Sequence, residues 1–294
     1  AIGLVGSEMC IRDRSMVALS ATRIVRYFGS YNYNLLRLIG IVVLFLPYII
    51  VNWDPIYLNK SIFIAIFLSS VIGIIIGDTF LFVCLKRLGP RRQALLFSLQ
   101  IPFTIILAEI FLQTLPSVVE LFGCFLIFFG IIVAIQFNRT IPDDDLENIQ
   151  GNKYIGLIAG VGLALCQAIG IILMKPALEV TDPIIVSYVR VLIAAILMFF
   201  SLGFLKNNNL LERMKDVKKT FYSIFLGFMG MGVGMTMLII ALKNGDPGII
   251  STLSSTMPIM IIPILWIVTK NYAGHLAVIG ATLTCFGAGV IFLN

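Results

Sequence analysis

The run LFGCFLIFFGIIVAI, residues 121–135, decides the fold class of this chain, because it holds no charged residue along its whole length. A bilayer core about 30 Å thick needs roughly 20 apolar residues in one helix. Runs of this kind recur, and with the first they occupy residues 34–51, 61–85, 93–115, 117–138, 154–177, 183–205, 219–242, 248–269 and 273–293. They are continuous rather than alternating and are too long for the strands of a membrane β-barrel. We therefore predict an all-α integral membrane protein that is multi-pass.

The composition excludes a water-soluble fold. Of the 294 residues, 59% are hydrophobic and only 12% are charged, and the mean hydropathy is +1.03. An ordinary soluble domain is about 45–50% apolar with glycine included and about 25% charged. This difference excludes a cytosolic enzyme, a nucleic-acid-binding protein and a secreted disulfide domain. The five cysteines are scattered without disulfide or zinc spacing, and we expect no metal and no cofactor.

The chain repeats itself. Equivalent residues follow one another in the same order in the two halves. Two pairs are separated by 156 residues and two pairs by 157 residues, and one arginine lies near the start of the second span of each half. The pairs are Gly89 and Gly245, Pro102 and Pro258, Gly123 and Gly280, Gly130 and Gly287, and Arg37 and Arg190. Several matches in one order indicate two homologous halves.

The repeat also predicts the domain boundaries. We expect residues 1–14 to be a non-native leader, because they carry four charges where the second half has an apolar span. A natural cytosolic leader before a nine-span protein is the alternative. Residues 15–138 then form the first repeat, 139–153 a charged linker and 154–294 the second repeat. With its truncated first helix restored, each half has five spans, and this odd number gives a ten-helix plan of two inverted repeats.

With these motifs the chain resembles the EamA-type transporters of the drug/metabolite transporter (DMT) superfamily. The resemblance rests on the paired arginines, the paired prolines of the fourth spans and the paired glycines of the last spans, and it covers about residues 16–293. It implies a ten-helix exporter or exchanger of small metabolites, such as amino acids or related compounds, with a central cavity between the repeats. The family often ends its fourth span with Gly-Glu, where this chain has Leu112-Gln113 and Thr269-Lys270. A role of that glutamate therefore does not carry over.

Two carboxylates, Asp78 and Glu109, lie well inside apolar runs. An ionisable side chain within a span is costly, so by default it indicates a functional site. Gln100 falls at a similar depth to Asp78 on the next helix and is expected to face it, while Glu109 is expected to point in roughly the direction of Pro102. Either carboxylate suits a proton carrier, and for Asp78 a structural hydrogen bond is the alternative. The position equivalent to Asp78 in the second half is Gly234, which favours one asymmetric site.

Other polar side chains inside the spans are weaker candidates. Arg37 lies three residues inside its run, which starts at residue 34, and Arg190 lies seven residues inside its run, which starts at residue 183. They either extend to the lipid headgroups or recognise a substrate carboxylate with the planar guanidinium. Gln167 and Thr236 are candidates for the polar lining of a substrate site, although such groups also form ordinary hydrogen bonds between membrane helices.

Two prolines, Pro102 and Pro258, are expected to interrupt the fourth span of each half. A proline inside a helix removes one backbone hydrogen bond and kinks the helix. We expect these two positions to act as hinges, with a static kink as the alternative. Their occurrence in both halves favours a shared mechanical role.

These observations predict a secondary transporter working by alternating access, not an enzyme. A lipid-acting intramembrane enzyme and a non-catalytic membrane scaffold are the alternatives. No nucleotide-binding loop is recognisable, so a gradient is the expected energy source. The expected partners are the lipid bilayer, a small-molecule substrate and protons, and no nucleic acid is expected. The protein is expected to be a monomer in the plasma (inner) membrane. The Lys and Arg count favours termini outside the cell, whereas the resemblance implies termini in the cytoplasm, so the orientation stays open.

Overall fold

The computed structural model describes residues 19–52, 60–112, 117–136, 149–178, 182–202, 210–233, 257–269 and 274–292. Helices occupy nearly all of these residues, and no strand occurs among them. In chain order the helices are α1 (residues 19–28), α2 (Ser30–Val51), α3 (Lys60–Leu88), α4 (Pro90–Phe97), α5 (Gln100–Leu112), α6 (Val118–Gln136), α7 (Lys153–Leu178), α8 (Pro183–Ser201), α9 (Leu210–Met214), α10 (Val217–Gly227), α11 (Met257–Thr269) and α12 (His275–Phe292). The predicted all-α class is confirmed.

The long helices coincide with the predicted apolar runs. Among the described residues, six segments are long and apolar enough to cross a bilayer: Ser30–Val51, Lys60–Leu88, Pro90–Phe111, Val118–Ile135, Lys153–Met174 and Ile184–Ser201. They match the first six of the nine runs, and α12 is a shorter apolar helix over the last one. The runs at 219–242 and 248–269 lie partly outside the described residues, and the expected leader at 1–14 lies wholly outside them.

Apolar side chains cover much of the outer surface, while several polar side chains are inside. Phe200 is 70% exposed, whereas Asn34, Ser69 and Ser70 are fully buried. Large exposed phenylalanines would be costly in water but are compatible with lipid. The interior of this bundle therefore contains the polar groups that a membrane protein shields from hydrocarbon.

Helix α3 lies between the two largest apolar clusters of the described residues. Its Ile74 and Phe82 pack into a cluster with α2 and α8, whereas its Cys84 and Leu88 pack into a second cluster with α4, α6 and α12. Helix α3 is thus covered on two of its faces. Polar groups on α3 are consequently held inside the bundle.

The middle of α3, Ser70–Asp78, is π-helical. A second π-helical segment, Phe228–Val233, follows α10 in the other half. The offset of 156 residues that pairs Gly89 with Gly245 maps this second segment onto residues 72–77, inside the first. Because π-helical segments are rare, their occurrence at equivalent positions agrees with the internal repeat.

Glycines bring α6 and α12 into direct backbone contact. A Cβ atom added at Gly130 would lie 2.6 Å from the Gly280 carbonyl oxygen, and one added at Gly123 would lie 2.7 Å from the Gly287 carbonyl oxygen. The order of the glycines is reversed between the two helices, so α6 and α12 run antiparallel. Small residues that allow such close approach are typical of contacts between membrane helices.

The fourth span is interrupted immediately before Pro102. Helix α4 ends at Phe97 and α5 begins at Gln100, with a turn between them. Proline has no N–H to donate to the Ser98 carbonyl oxygen. The N–H of Ile101 donates to that oxygen instead, at 3.2 Å, which tightens the chain here. Pro258 is the second residue of α11, and because residues 251–256 lie outside the described part, its position within the span stays a prediction.

Candidate functional site

The π-helical segment of α3 ends on Asp78, whose carboxylate has partners on two other helices. Arg37 of α2 donates from Nη2 to Oδ2 at 2.5 Å, and Gln167 of α7 donates from Nε2 to Oδ1 at 2.9 Å. The Arg37 and Asp78 side chains are only 12% and 8% exposed. Asp78 therefore lies in a buried ion pair that joins three helices and both halves of the chain.

Two glycines of the π-helical segment allow α7 to come this close. A Cβ atom added at Gly77 would lie 3.2 Å from the Cβ of Cys166, and one added at Gly73 would lie 3.5 Å from the Cα of Gly170. The Nε2 atom of Gln167 also donates to the Gly73 carbonyl oxygen at 3.2 Å. The amide of Gln167 is consequently positioned by the backbone of α3 as well as by Asp78.

Asn34 orients Arg37 from one turn earlier on α2. The Nη2 atom of Arg37 donates to Oδ1 of Asn34 at 3.0 Å, and Nδ2 of Asn34 donates to the Ile74 carbonyl oxygen at 3.3 Å. The guanidinium carbon lies 4.9 Å from the centre of the Phe82 ring, close enough for a cation–π contact. Arg37 is thus fixed by an ion pair, an amide and an aromatic face.

Arg190 of α8 lies near the other end of the π-helical segment. It is 8% exposed. Its Nη2 atom donates to the Ser69 carbonyl oxygen at 3.3 Å, and its Nη1 atom lies 3.0 Å from the sulfur of Met174. Among the described residues no carboxylate lies within ion-pair distance of Arg190, and its Nε atom is buried without a hydrogen-bond partner.

The guanidinium groups of the two arginines lie inside the protein and do not extend to the lipid headgroups. An arginine that extends to the headgroups keeps its charged end in water. The guanidinium groups of Arg37 and Arg190 instead point to acceptors inside the protein. The headgroup-anchor interpretation therefore does not describe either side chain.

The remaining sequence candidates lie apart from this cluster or outside the described residues. Gln100 is half-buried, and its Oε1 atom has no hydrogen-bond partner among the described residues. The observed hydrogen-bond partners of Asp78 are Arg37 and Gln167, not the expected Gln100. Glu109 is exposed on α5, whereas Pro102 is buried. Thr236 lies outside the described residues.

Three further polar side chains that were not predicted from the sequence, Asn34, Ser69 and Ser70, are fully buried in this region. The Oγ of Ser70 donates to the Arg190 carbonyl oxygen at 2.7 Å, and the Oγ of Ser69 donates to the Gly170 carbonyl oxygen at 2.6 Å. Two adjacent serines followed by glycines four residues apart, at 73 and 77, form a small-residue pattern of the kind that brings membrane helices together. That pattern was the available signal.

No group of three or more His, Cys, Asp or Glu side chains in the described ranges is arranged to hold a metal ion. The cluster at the π-helical segment offers the carboxylate of Asp78, the guanidinium groups of Arg37 and Arg190 and the amides of Asn34 and Gln167. Such groups bind charged and hydrogen-bonding ligands and carry protons.

Comparisons with known proteins agree with the arrangement of two repeats. The family model described as "EamA-like transporter family" matches residues 15–136 and again residues 154–293. No curated protein matches the chain. A solved structure described as "Crystal structure of protein" is similar over 97% of this chain and 96% of that one, with 12% sequence identity and a TM-score of 0.62. At this identity the likeness shows a shared fold alone.

Proposed function

This chain belongs to the EamA-like transporter family, and we propose that it is a secondary transporter that exports or exchanges small metabolites by alternating access. Amino acids and related compounds are the proposed substrate class. The family and the apolar helices make the chain a multi-pass integral membrane protein of a transporter family. A monomer in the plasma (inner) membrane and coupling to protons are further parts of the proposal.

The buried network around Asp78 is the observation that carries this proposal. It joins α2 and α3 of the first matched repeat to α7 of the second through the hydrogen bonds of one carboxylate. Any movement of one repeat against the other must stretch or exchange these bonds. Transporters built from repeats place their coupling sites at such an interface.

The ten-helix inverted plan belongs to the same proposal. It is supported by the antiparallel glycine contact of α6 with α12 and by the π-helical segments at equivalent positions. We propose Pro102 and Pro258 as hinges, since α4 and α5 already separate at the turn before Pro102.

In this proposal the polar side chains inside the spans have distinct roles. Asp78 is the proton-coupling group, and Arg37 and Gln167 hold it between the repeats. Glu109 is a second candidate for coupling. The set proposed to contact substrate or coupling ion is Asp78, Glu109, Gln100, Arg37, Arg190, Gln167 and Thr236.

Counterflow in proteoliposomes tests the function directly. Purified protein is reconstituted with a preloaded pool of each amino acid or related metabolite in turn, with and without a pH gradient. We expect labelled compound to accumulate against its own pool, and we expect Asp78→Asn or Glu109→Gln to abolish the dependence on the gradient. The matched control is Asp182→Asn, because Asp182 caps α8 through the Ile184 N–H and asparagine caps a helix equally well.

Folding is checked separately for each variant by size-exclusion chromatography and thermal unfolding. Folded wild-type protein that gives no counterflow with any compound would contradict the transporter proposal. If counterflow by the wild-type protein is the same with and without a pH gradient, the transporter proposal stands and the proposed proton coupling is contradicted.

A further inference from the structure

The two repeat-equivalent arginines differ in how their charge is balanced. Arg37 has the carboxylate of Asp78 at 2.5 Å. Arg190 has a backbone carbonyl and a thioether, and no carboxylate within ion-pair distance among the described residues. The sequence agrees, because the residue equivalent to Asp78 in the second half is Gly234. Within the described residues, Arg37 is therefore in direct contact with a carboxylate, whereas the charge of Asp78 reaches Arg190 only from beyond ion-pair distance.

The hydrogen-bonding capacity of Arg190 is also underused. A guanidinium group has five N–H donors and no acceptor. Arg190 directs one donor to the Ser69 carbonyl oxygen at 3.3 Å and one to the sulfur of Met174, which is a weak acceptor. Its Nε is buried without a hydrogen-bond partner, as is the Nε of Arg37, so the difference between the two arginines lies in their terminal nitrogens. A buried cation in this state is unfavourable unless an anion joins it.

The backbone around Arg190 leaves room for its charged end. A Cβ atom added at Gly73 would lie 2.9 Å from Nη2 of Arg190, and one added at Gly170 would lie 3.6 Å from the same atom. Gly73 also accepts the amide hydrogen bond of Gln167, which in turn binds Asp78. An anion that moves Arg190 would therefore act on the backbone that positions the partner of Asp78.

We propose that Arg190 binds the carboxylate of the transported metabolite, so that the substrate is a carboxylic acid anion or an amino acid. This inference rests on the proposed function. Arg37 does not serve this purpose because Asp78 occupies it. One unbalanced positive charge matches a carboxylate, whereas a phosphate monoester carries about −1.5 to −2 at neutral pH and would exceed it.

Met174 offers a sharp test because its sulfur lies 3.0 Å from Nη1 of Arg190. Met174→Glu places an internal carboxylate beside the guanidinium in a side chain of similar length, and Met174→Gln is the neutral control of the same shape. Arg190→Gln removes the charge, and Arg190→Lys keeps the charge without the planar fork.

Two measurements are made on the full-length protein. The first is the rise in the unfolding temperature of the detergent-purified protein when a compound is added. Pentanoate is compared with pentanamide, leucine and phenylalanine are each compared with their carboxamides, and phenyl phosphate is tested as the phosphate monoester. The second is counterflow of the labelled amino acids. A hydrogen bond to a charged group contributes about 1.5–3 kcal/mol, so we expect Met174→Glu and Arg190→Gln to weaken carboxylate binding by about tenfold or more. Met174→Gln should bind as the wild type does.

The outcomes separate this inference from the proposed function. The inference is supported if the protein binds acids selectively and this binding is lost in Met174→Glu and Arg190→Gln but kept in Met174→Gln. This holds whether or not counterflow occurs. If such binding is observed without any counterflow, only the transporter proposal fails. Counterflow that treats acids and carboxamides alike, or that is unchanged in Met174→Glu, overturns the inference and leaves transport intact. Stronger binding of phenyl phosphate than of the carboxylates overturns the carboxylate assignment. Absence of both binding and counterflow overturns both proposals.

Discussion

Asp78 illustrates how a single buried charge depends on its neighbours. Its two carboxylate oxygens accept from Arg37 and from Gln167. Arg37 in turn uses Asn34 as a second acceptor. Removing one member of a buried ion pair leaves an uncompensated charge, which typically costs about 3–5 kcal/mol, whereas replacing both members with apolar residues is often neutral.

We therefore predict a strongly non-additive double-mutant cycle at this pair. Asp78→Leu and Arg37→Met should each lower the unfolding temperature markedly, and the double variant should recover most of the loss. Thermal unfolding of the detergent-purified proteins measures this. Additive losses in the double variant would show that the ion pair is not the unit of stability here.

The sequence identified these polar side chains but not their partnership. A charge or an amide inside an apolar run stands out in the sequence, and Asp78, Arg37 and Gln167 are such residues. Their facing directions depend on the π-helical segment, because its i→i+5 bonding turns successive side chains differently from an α-helix. The expectation that Gln100 faces Asp78 rests on their similar depth along the spans, and depth does not determine the direction in which a side chain points.

Among the helices, α6 and α12 show how spaced glycines allow two helix backbones to come into direct contact. The two helices touch through carbonyl oxygens that face the glycines of the partner helix. A side chain at these positions would separate the helices. The sequence predicted both helices and the pairing of their glycines by repeat, but it did not predict that these glycines contact each other.

Gly130→Ala should consequently destabilise the protein by about 1–3 kcal/mol, the usual cost of overpacking a tight contact. The added Cβ would lie 2.6 Å from the Gly280 carbonyl oxygen. Thr282→Ala, on the exposed side of α12, is the control and should change stability little. The unfolding temperature measures both, and equal effects of the two substitutions would argue against the close contact.

Taken as one assembly, the chain consists of two matched repeats held together by contacts between them. The glycine contact of α6 with α12 and the hydrogen bond of Gln167 to Asp78 both cross from one repeat to the other. The apolar runs predicted most of the spans directly because lipid imposes length and composition on each one. How the repeats associate depends on contacts between residues far apart in sequence, which run length does not contain.

Co-expression of residues 1–138 and 139–294 as two chains should therefore yield a complex that purifies together in mild detergent. Gly130→Val should reduce the recovered complex several-fold, because a larger side chain prevents the backbone contact. Affinity purification through a tag on one chain measures the recovery. Equal recovery with and without this substitution would exclude the glycine contact as the main link between the repeats.

The unequal balance of the two arginines has an electrical consequence. Arg37, Asp78 and Arg190 together leave one positive charge in the packed interior of the described helices. Moving one elementary charge across a bilayer with a voltage of 100 mV changes its free energy by about 2.3 kcal/mol. On the proposed binding at Arg190, and with Asp78 ionised, a bound monoanion cancels the net charge of these three side chains. The voltage then acts on these three side chains when the empty carrier reorients, but not when the carrier reorients with a bound monoanion.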